Sequence, residues 1–342
     1  MTGTAASGTV ARPAPSPTPR LAPKPEPARV LEWQAPFRLD VRRTLSVQGR
    51  GRSDPTFRID EAGALWRTSL TPDGPATIRV TSPSRAVPAV PAESAGSLVL
   101  AQAWGPGADW LLGALPAALG LHDDSTGFDP SGHPVLRRTA HRHPSLRIGR
   151  SGRLMEALVP AILEQKVLTI EAHRAWRILL AKYGGQPPGP APRGMRVFPD
   201  PRTWRRIPSW DWHRAGVEGV RAQTIIRACT VADSLERLLT KTHEEADRLL
   251  QTIPGIGIWT SAEARQRAAG DPDAVSVGDA HLSDIVGWVL AGRSETTDEE
   301  MLELLGPYAG HRQRVTRLVK LSGLGGPPRR APKLPVRDYR RF

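Results

Sequence analysis

Near Arg147 the spacing of apolar residues changes period, and no other feature of the chain constrains its fold as much. Before that point, from Leu31 to about Trp104, short segments alternate polar and apolar residues: Phe37, Leu39 and Val41; Thr56 to Ile59; Ala64 to Leu70; Thr77 to Val80; Ser97 to Ala103. A period of two puts one face of an antiparallel strand in a core and the other in water. Gly-Arg-Gly at 49–51, Pro-Asp-Gly at 72–74 and Pro-Ser-Arg at 83–85 supply turns, and a helix from about Ala108 to Leu119 completes an α+β unit. After that point Leu154, Leu158 and Ile162, then Ala172, Trp176 and Leu180, recur at every fourth position, the stripe of a packed helix. Breaks at 184–194, 198–209 and 254–257 separate further helices near 221–239, 244–252, 260–269, 279–291, 298–305 and 308–322. The fold class expected is α+β: a small antiparallel sheet-and-helix domain over 31–146, then an all-α domain over 147–324.

The two ends differ from both domains. Residues 1–30 hold seven prolines among Ala, Ser, Thr and Gly, so an arm that buries no core is expected there. Residues 325–342 mix Pro with Arg329, Arg330, Lys333, Arg337, Arg340 and Arg341, which predicts a loosely held basic tail with non-specific affinity for DNA. The whole chain of 342 residues carries 47 Lys and Arg against 34 Asp and Glu, a formal net charge of +13, and nucleic acid is the first partner such a field suggests. The lone cysteine, Cys229, excludes a disulfide within the chain, a four-cysteine zinc site and a cysteine-ligated iron–sulfur cluster. No apolar run reaches eighteen residues, which predicts a soluble, cytoplasmic protein with no membrane partner.

Chemistry concentrates in Leu249-Leu250-Gln251-Thr252-Ile253-Pro254-Gly255-Ile256-Gly257-Ile258-Trp259-Thr260-Ser261-Ala262. Pro254 has no amide hydrogen and ends the first helix; Gly255 and Gly257 lack a Cβ, so the turn can tighten until its amides face a phosphate, with a helix N-terminus behind them. A plain glycine-capped turn between two helices is the alternative. The string resembles the helix-hairpin-helix element of the DNA glycosylase superfamily. That resemblance implies phosphate contacts from Gly255, Ile256, Gly257 and Thr260, and an alkali-metal ion at the hairpin as a possible companion, no other cofactor being required.

Beyond the hairpin, a loop from Gly270 delivers Gly278-Asp279 to a new helix. The superfamily places an invariant Asp some twenty residues past its hairpin, and Asp279 stands 22 residues after Gly257. Cleavage of a base from deoxyribose develops an oxocarbenium-like sugar, which a nearby carboxylate stabilises, and the same carboxylate can orient or deprotonate water. Asp279 is therefore the catalytic candidate. It is also a favoured helix N-cap, a role compatible with the first. Asp271, Asp273 and Asp284 are competing acids that suit turns and a solvated helix face.

Members of the superfamily that nick the strand carry a lysine immediately before the hairpin Thr. Trp259 occupies that place here and cannot form an imine, so water attack and no lyase step are expected. An indole also stacks well on electron-poor alkylated purines, although it can equally be a core residue of the hairpin. In this respect the chain is similar to the bacterial inducible 3-methyladenine glycosylases (type II). Leu163-Glu164-Gln165-Lys166-Val167 resembles the helix end that feeds their wedge loop, with Gln165 matching a glutamine. Phe198 to Pro201, Trp204, Ile207, Trp210, Gly216-Val217 and Arg221-Ala222 resemble their middle helices.

Departures from the pattern bear on specificity. Lys166 stands where a gap-filling wedge is expected, and a cation there suits phosphate better than intercalation. Glu263 stands where relatives carry an aromatic; it either completes a Thr260-x-x-Glu263 capping box or sits in the base pocket and hydrogen-bonds a base edge. Trp210, within Trp210-Asp211-Trp212-His213, either lines that pocket or packs between helices. Gly310-His311-Arg312, with Arg314 and Arg317, reads as a phosphate-facing turn or as a solvated basic face. The function expected is removal of alkylated purines, 3-methyladenine-like, from duplex DNA by a monomeric, nucleoid-associated repair glycosylase. A catalytically silent DNA binder and a glycosylase for deaminated or oxidised bases are the alternatives.

Overall fold

The computed structural model describes residues 27–82 and 96–327. Most of the expected arm and of the basic tail, and the turn at 83–85, lie outside them. Five strands, β1 (Arg29–Ala35), β2 (Phe57–Ile59), β3 (Leu65–Thr71), β4 (Gly74–Thr81) and β5 (Ser97–Trp104), form one antiparallel sheet in the order β1-β5-β4-β3-β2. The first strand, β1, lies at one edge, with Leu31 opposite Ala101 and Trp33 opposite Val99. Ile78, Val80, Val99 and Ala101 face helix α2 (Ala108–Ala118), whose Leu111, Leu112 and Leu115 close this core. The helix α1 (Val41–Ser46) covers its end.

Four of the five expected strands are where alternation puts them. The segment Phe37–Val41 is not a strand: Asp40 adopts extended backbone and its carboxylate accepts from the Arg43 amide, an N-cap that starts α1 at Val41. The edge strand is instead Arg29–Ala35, so Arg29 and Val30, read as part of the arm, are paired in the sheet.

Two further cores hold the helices. The larger joins α4 (Leu154–Leu163), α5 (Thr169–Tyr183), α6 (Pro201–Arg205), α7 (Ser209–Ala215), α8 (Gly219–Thr230), α9 (Ala232–Glu236), α10 (His243–Leu250) and α11 (Ile258–Ala268). Trp176, Trp204 and Trp212 stack through its centre at 6.4 and 5.8 Å between ring centroids. The second core joins α3 (Pro134–Arg142) to α12 (Leu282–Ala291), α13 (Asp298–Leu305) and α14 (Arg312–Leu321). Thus α3, which falls in the sheet domain by sequence order, spends Leu136 on the helical core, and Leu146 joins it there. The sheet meets the helices through polar bonds as well: Glu156 on α4 accepts from Arg67, from the Ser69 hydroxyl and from the Leu70 amide on β3.

Candidate active site

The hairpin lies between α10 and α11. Gly255 has φ +97°, and a Cβ there would come within 2.1 Å of Thr224 Oγ1 on α8, so only glycine lets the turn sit against that helix. Ile256 is 4% exposed and packs into the larger core, while its amide donates to the Ile253 carbonyl at 2.9 Å. Its side chain and amide therefore anchor the turn from inside, contrary to the expectation of a DNA contact. Gly257 is the N-cap of α11 without any side-chain cap, and the first internal bond of that helix is Ser261 N to Gly257 O at 2.9 Å. The amides of Gly257, Ile258 and Trp259 make no hydrogen bond among the described residues. They form an uncapped helix N-terminus beside the exposed Ile258, the arrangement that receives a phosphate oxygen.

Thr260 is buried within the first turn of α11 and so is not an N-cap; the expected Thr260–Glu263 capping box does not form. Its hydroxyl accepts from the side-chain amide of Gln165 at 2.8 Å, and the same Gln165 nitrogen reaches the Gly255 carbonyl at 2.8 Å. Gln165 thus ties the loop between α4 and α5 to the hairpin. Lys166, next in that loop, is exposed and has φ +54°, one of only two non-glycine residues at positive φ among the described residues. Such backbone costs roughly 1–3 kcal/mol and persists only where neighbours impose it. Here Gln165 does so on one side, and Arg221, donating to the Leu163 carbonyl at 2.8 Å, on the other.

Asp279 follows Gly278, whose φ of +85° turns the chain into α12. One oxygen of its carboxylate accepts from the amides of His281 and Leu282 at 3.0 and 3.1 Å, so Asp279 holds the turn that leads into α12; the N-cap position itself is His281, two residues beyond the Asp expected there. The other oxygen accepts from the indole Nε1–H of Trp259 at 3.3 Å. No cationic side chain lies within 4.0 Å of it among the described residues. The competing acids are committed elsewhere: Asp271 to Arg265, Asp273 to Arg312, and Asp284 to the Thr296 amide. Asp279 is half-exposed, held rigid by neutral donors and free of an ion pair.

Trp259, Glu263 and Arg267 repeat at intervals of four along α11 and share one face. Glu263 is not open to a base edge. One oxygen accepts from the Ser276 hydroxyl and the other from Arg267, each at 2.5 Å, and burial, which raises its pKa, is outweighed by Arg267 and Ser276, which hold it down. Ser276 in turn accepts the Asp279 amide on its carbonyl at 3.2 Å, so Glu263 braces the loop that carries Asp279. The ring of charges continues into the sheet domain. Arg267 donates to the Val47 carbonyl at 3.1 Å, and the buried Arg50 meets Glu164 at 3.3 Å, beside His173 at 3.6 Å. Burial pushes Glu164 up, yet Arg50, His173 and Arg267 together take its pKa down to about 2. Arg50, Glu164, Arg267 and Ser276 were not singled out from sequence. An Arg or Glu gives no sign of burial until the domains that bury it are in contact.

Three of the expected site residues lie away from Asp279 or bond within the protein. Trp210 is 65% exposed on α7, which packs on α5 and α8, and nothing brings it to Asp279; Trp212 is the buried member of that pair. Arg312 clasps Asp273 with both its guanidinium and its backbone amide, and His311 Nε2 lies 3.1 Å from the Thr126 carbonyl with its ring against Phe128. Both side chains bond within the protein. A cavity at the domain junction, lined by Gln48, Arg50, Thr56, Arg67, Trp176 and Phe198 among others, includes none of the expected site residues.

No protein-family model and no curated protein matches the sequence. Solved structures do match the fold. A 3-methyladenine DNA glycosylase from Archaeoglobus fulgidus, 15% identical, superposes with a TM-score of 0.70 over 86% of this chain and 98% of that one. An 8-oxoguanine glycosylase/lyase from Clostridium acetobutylicum in its apo form, 11% identical, gives 0.63 over 86% and 98%. The same enzyme in complex with dsDNA containing cytosine opposite 8-oxoG gives 0.62 over 87% and 97%. With its sheet domain, its hairpin before α11 and Asp279 in the turn ahead of α12, this chain is built on the fold of the helix-hairpin-helix DNA glycosylases.

Proposed function

We propose that the protein is a DNA base-excision glycosylase that hydrolyses the N-glycosidic bond of a damaged nucleotide, with alkylated purines as substrates. The observation that carries this reading is the Asp279 carboxylate, fixed by the His281 and Leu282 amides and the Trp259 indole and left without a cation. Hydrolysis breaks the bond from C1′ to the base nitrogen, whose electron pair leaves with the base, and forms one from C1′ to a water oxygen; a cationic alkylated purine departs neutral, and the water's proton passes to Asp279 and on to solvent. Charge builds on the sugar before water arrives, and an unpaired carboxylate held at that point stabilises it. The bound indole supports the same reading, since Trp259 offers a ring face to an electron-poor base and no amine for an imine.

The uncapped start of α11 would receive a backbone phosphate, with Lys166 on the tethered loop beside it. The backbone carbonyls of Gln251, Thr252 and Ile256 accept no hydrogen bond among the described residues, and an oxygen-only set of that kind suits a hard monovalent cation. Those three carbonyls would hold such an ion, which would add positive charge for the phosphate. A second reading keeps the reaction and changes the base. The same fold serves an 8-oxoguanine glycosylase/lyase, so an oxidised or deaminated base is the alternative substrate.

Wild type and Asp279→Asn, incubated with methylated, deaminated and oxidised duplexes, separate these readings. Wild type releases 3- or 7-methylpurines and leaves sites that break only in alkali. Asp279→Asn binds the same DNA at matched salt but loses about 10²–10⁴ in rate. Release of only oxidised or deaminated bases selects the second reading. Binding without release from any of the three would make the protein a silent DNA binder and refute the catalytic role of Asp279.

A further inference from the structure

Where the sheet domain meets the last helix, basic residues from four distant segments come together, Arg43 against His143 and Arg317 against the Arg147 backbone. Arg43 comes from α1, His143 from the end of α3, Arg147 from the following segment and Arg317 from α14. Arg43 Nη1 lies 2.5 Å from His143 Nδ1. The Arg147 guanidinium sits over the Phe37 ring, 4.5 Å from its centroid, and among the described residues donates only to the Leu146 carbonyl, at 3.1 Å. Arg317 Nη1 donates to the Arg147 carbonyl at 3.1 Å.

The neighbouring acids are already used. Asp123 binds Arg314 at 2.5 and 3.1 Å and also accepts the Ile148 amide at 3.0 Å. Asp40 caps α1 and stands 3.6 Å from Arg43. Neither Arg147 nor Arg317 has a carboxylate within 4.0 Å among the described residues. Burial takes the pKa of Arg317 down to about 10, with Asp123 opposing it and Arg314, Arg267 and Arg43 adding to the descent. Charge in a half-buried place without a partner is costly, and guanidinium forks with spare donors match the geometry of a phosphate group.

We propose that Arg43, Arg147 and Arg317, with His143 beside them, form a phosphate-binding site at the domain seam. It is separate from the hairpin: the seam touches α11 through Arg267, about 13 Å along the helix axis from Ile258. The phosphate is either a diester of the bound duplex, flanking the contacted strand, or a free phosphate or monoester that fastens the two domains. The site stands without Asp279, so Asp279→Asn retains it whatever that variant does to base release.

The test uses the full chain, Arg317→Met and Arg147→Gln; the second keeps the backbone carbonyl that Arg317 uses. Thermal unfolding is followed as potassium phosphate replaces chloride at constant ionic strength, and duplex affinity is measured across a salt series. If the ligand is free phosphate, wild type gains Tm with phosphate, and both variants need roughly tenfold more of it for the same gain, the loss of one charge-assisted hydrogen bond. If it is the DNA backbone, the slope of log affinity against log salt falls by about 0.9 in the variants while the hairpin contacts persist. Should Arg317→Met fail to fold, Arg147→Gln carries both readouts. A wild type indifferent to phosphate, together with an unchanged salt slope, overturns the proposal and makes the cluster a purely internal one.

Discussion

Replacing Glu164 by Gln tests the ring of charges directly. The folded carboxylate has a pKa of about 2 against an ordinary 4.5, a difference of about 2.5 units, so its ionised form is favoured in the native state by about 3 kcal/mol. A group depressed in this way contributes stability that is fully present above pH 4.5 and is lost as the pH falls through the folded value near 2. Glu164→Gln keeps the shape and removes the charge, leaving the buried Arg50 with only more distant acids. At neutral pH the variant is expected to lose about 3 kcal/mol, roughly 6 °C in Tm. Differential scanning calorimetry of both proteins from pH 7 down to about 3 checks this: the gap narrows once the pH drops below 4.5. A variant with wild-type Tm at pH 7, or a gap that widens in acid, would refute the claim that Arg50 and Arg267 hold Glu164 ionised.

Further outcomes follow from single positions. Gly255→Ala forces a Cβ to within 2.1 Å of Thr224 Oγ1 at φ +97°, and should lower stability by at least 1 kcal/mol and weaken duplex binding, read by urea unfolding and by anisotropy. Lys166→Gly relieves a positive φ and is expected to raise stability by up to about 1 kcal/mol while weakening DNA binding. An unchanged affinity would remove Lys166 from the interface. Trp259→Phe keeps a ring but loses the indole donor to Asp279; single-turnover base release should fall by about tenfold, with Tm shifted less than in a deletion to Ala. Ser276→Ala breaks the link from Glu263 to the loop of Asp279 and should lower kcat with little change in KM.

What the sequence discloses is local. The period change near Arg147 separates sheet from helices, and the spacing of Gly255, Gly257 and Asp279 picks out a hairpin and the acid in the turn before α12 because each depends on its own few neighbours. Asp40 shows the limit at that same scale: a single cap turns an alternating Phe37–Val41 into the start of α1. Contacts made across domains are less visible. Glu263 looks like a cap or a pocket residue until Arg267 and Ser276 are placed around it, and Arg312 looks like a phosphate ligand until Asp273 reaches it. Trp210 and Trp212 differ by two positions in sequence, yet the helix buries one and exposes the other.

One side-chain amide has a consequence for how the protein would meet a helix of nucleic acid. Because Gln165 bonds both Gly255 and Thr260, the loop bearing Lys166 and the hairpin move as a single jaw of fixed width. A rigid gauge of that kind does not adapt to the duplex. Any mismatch between its span and straight DNA falls on the DNA as bending, at a cost of order 1–6 kcal/mol, and nucleotides weakened by damage lower that cost. Searching for damage would then amount to testing where the duplex yields.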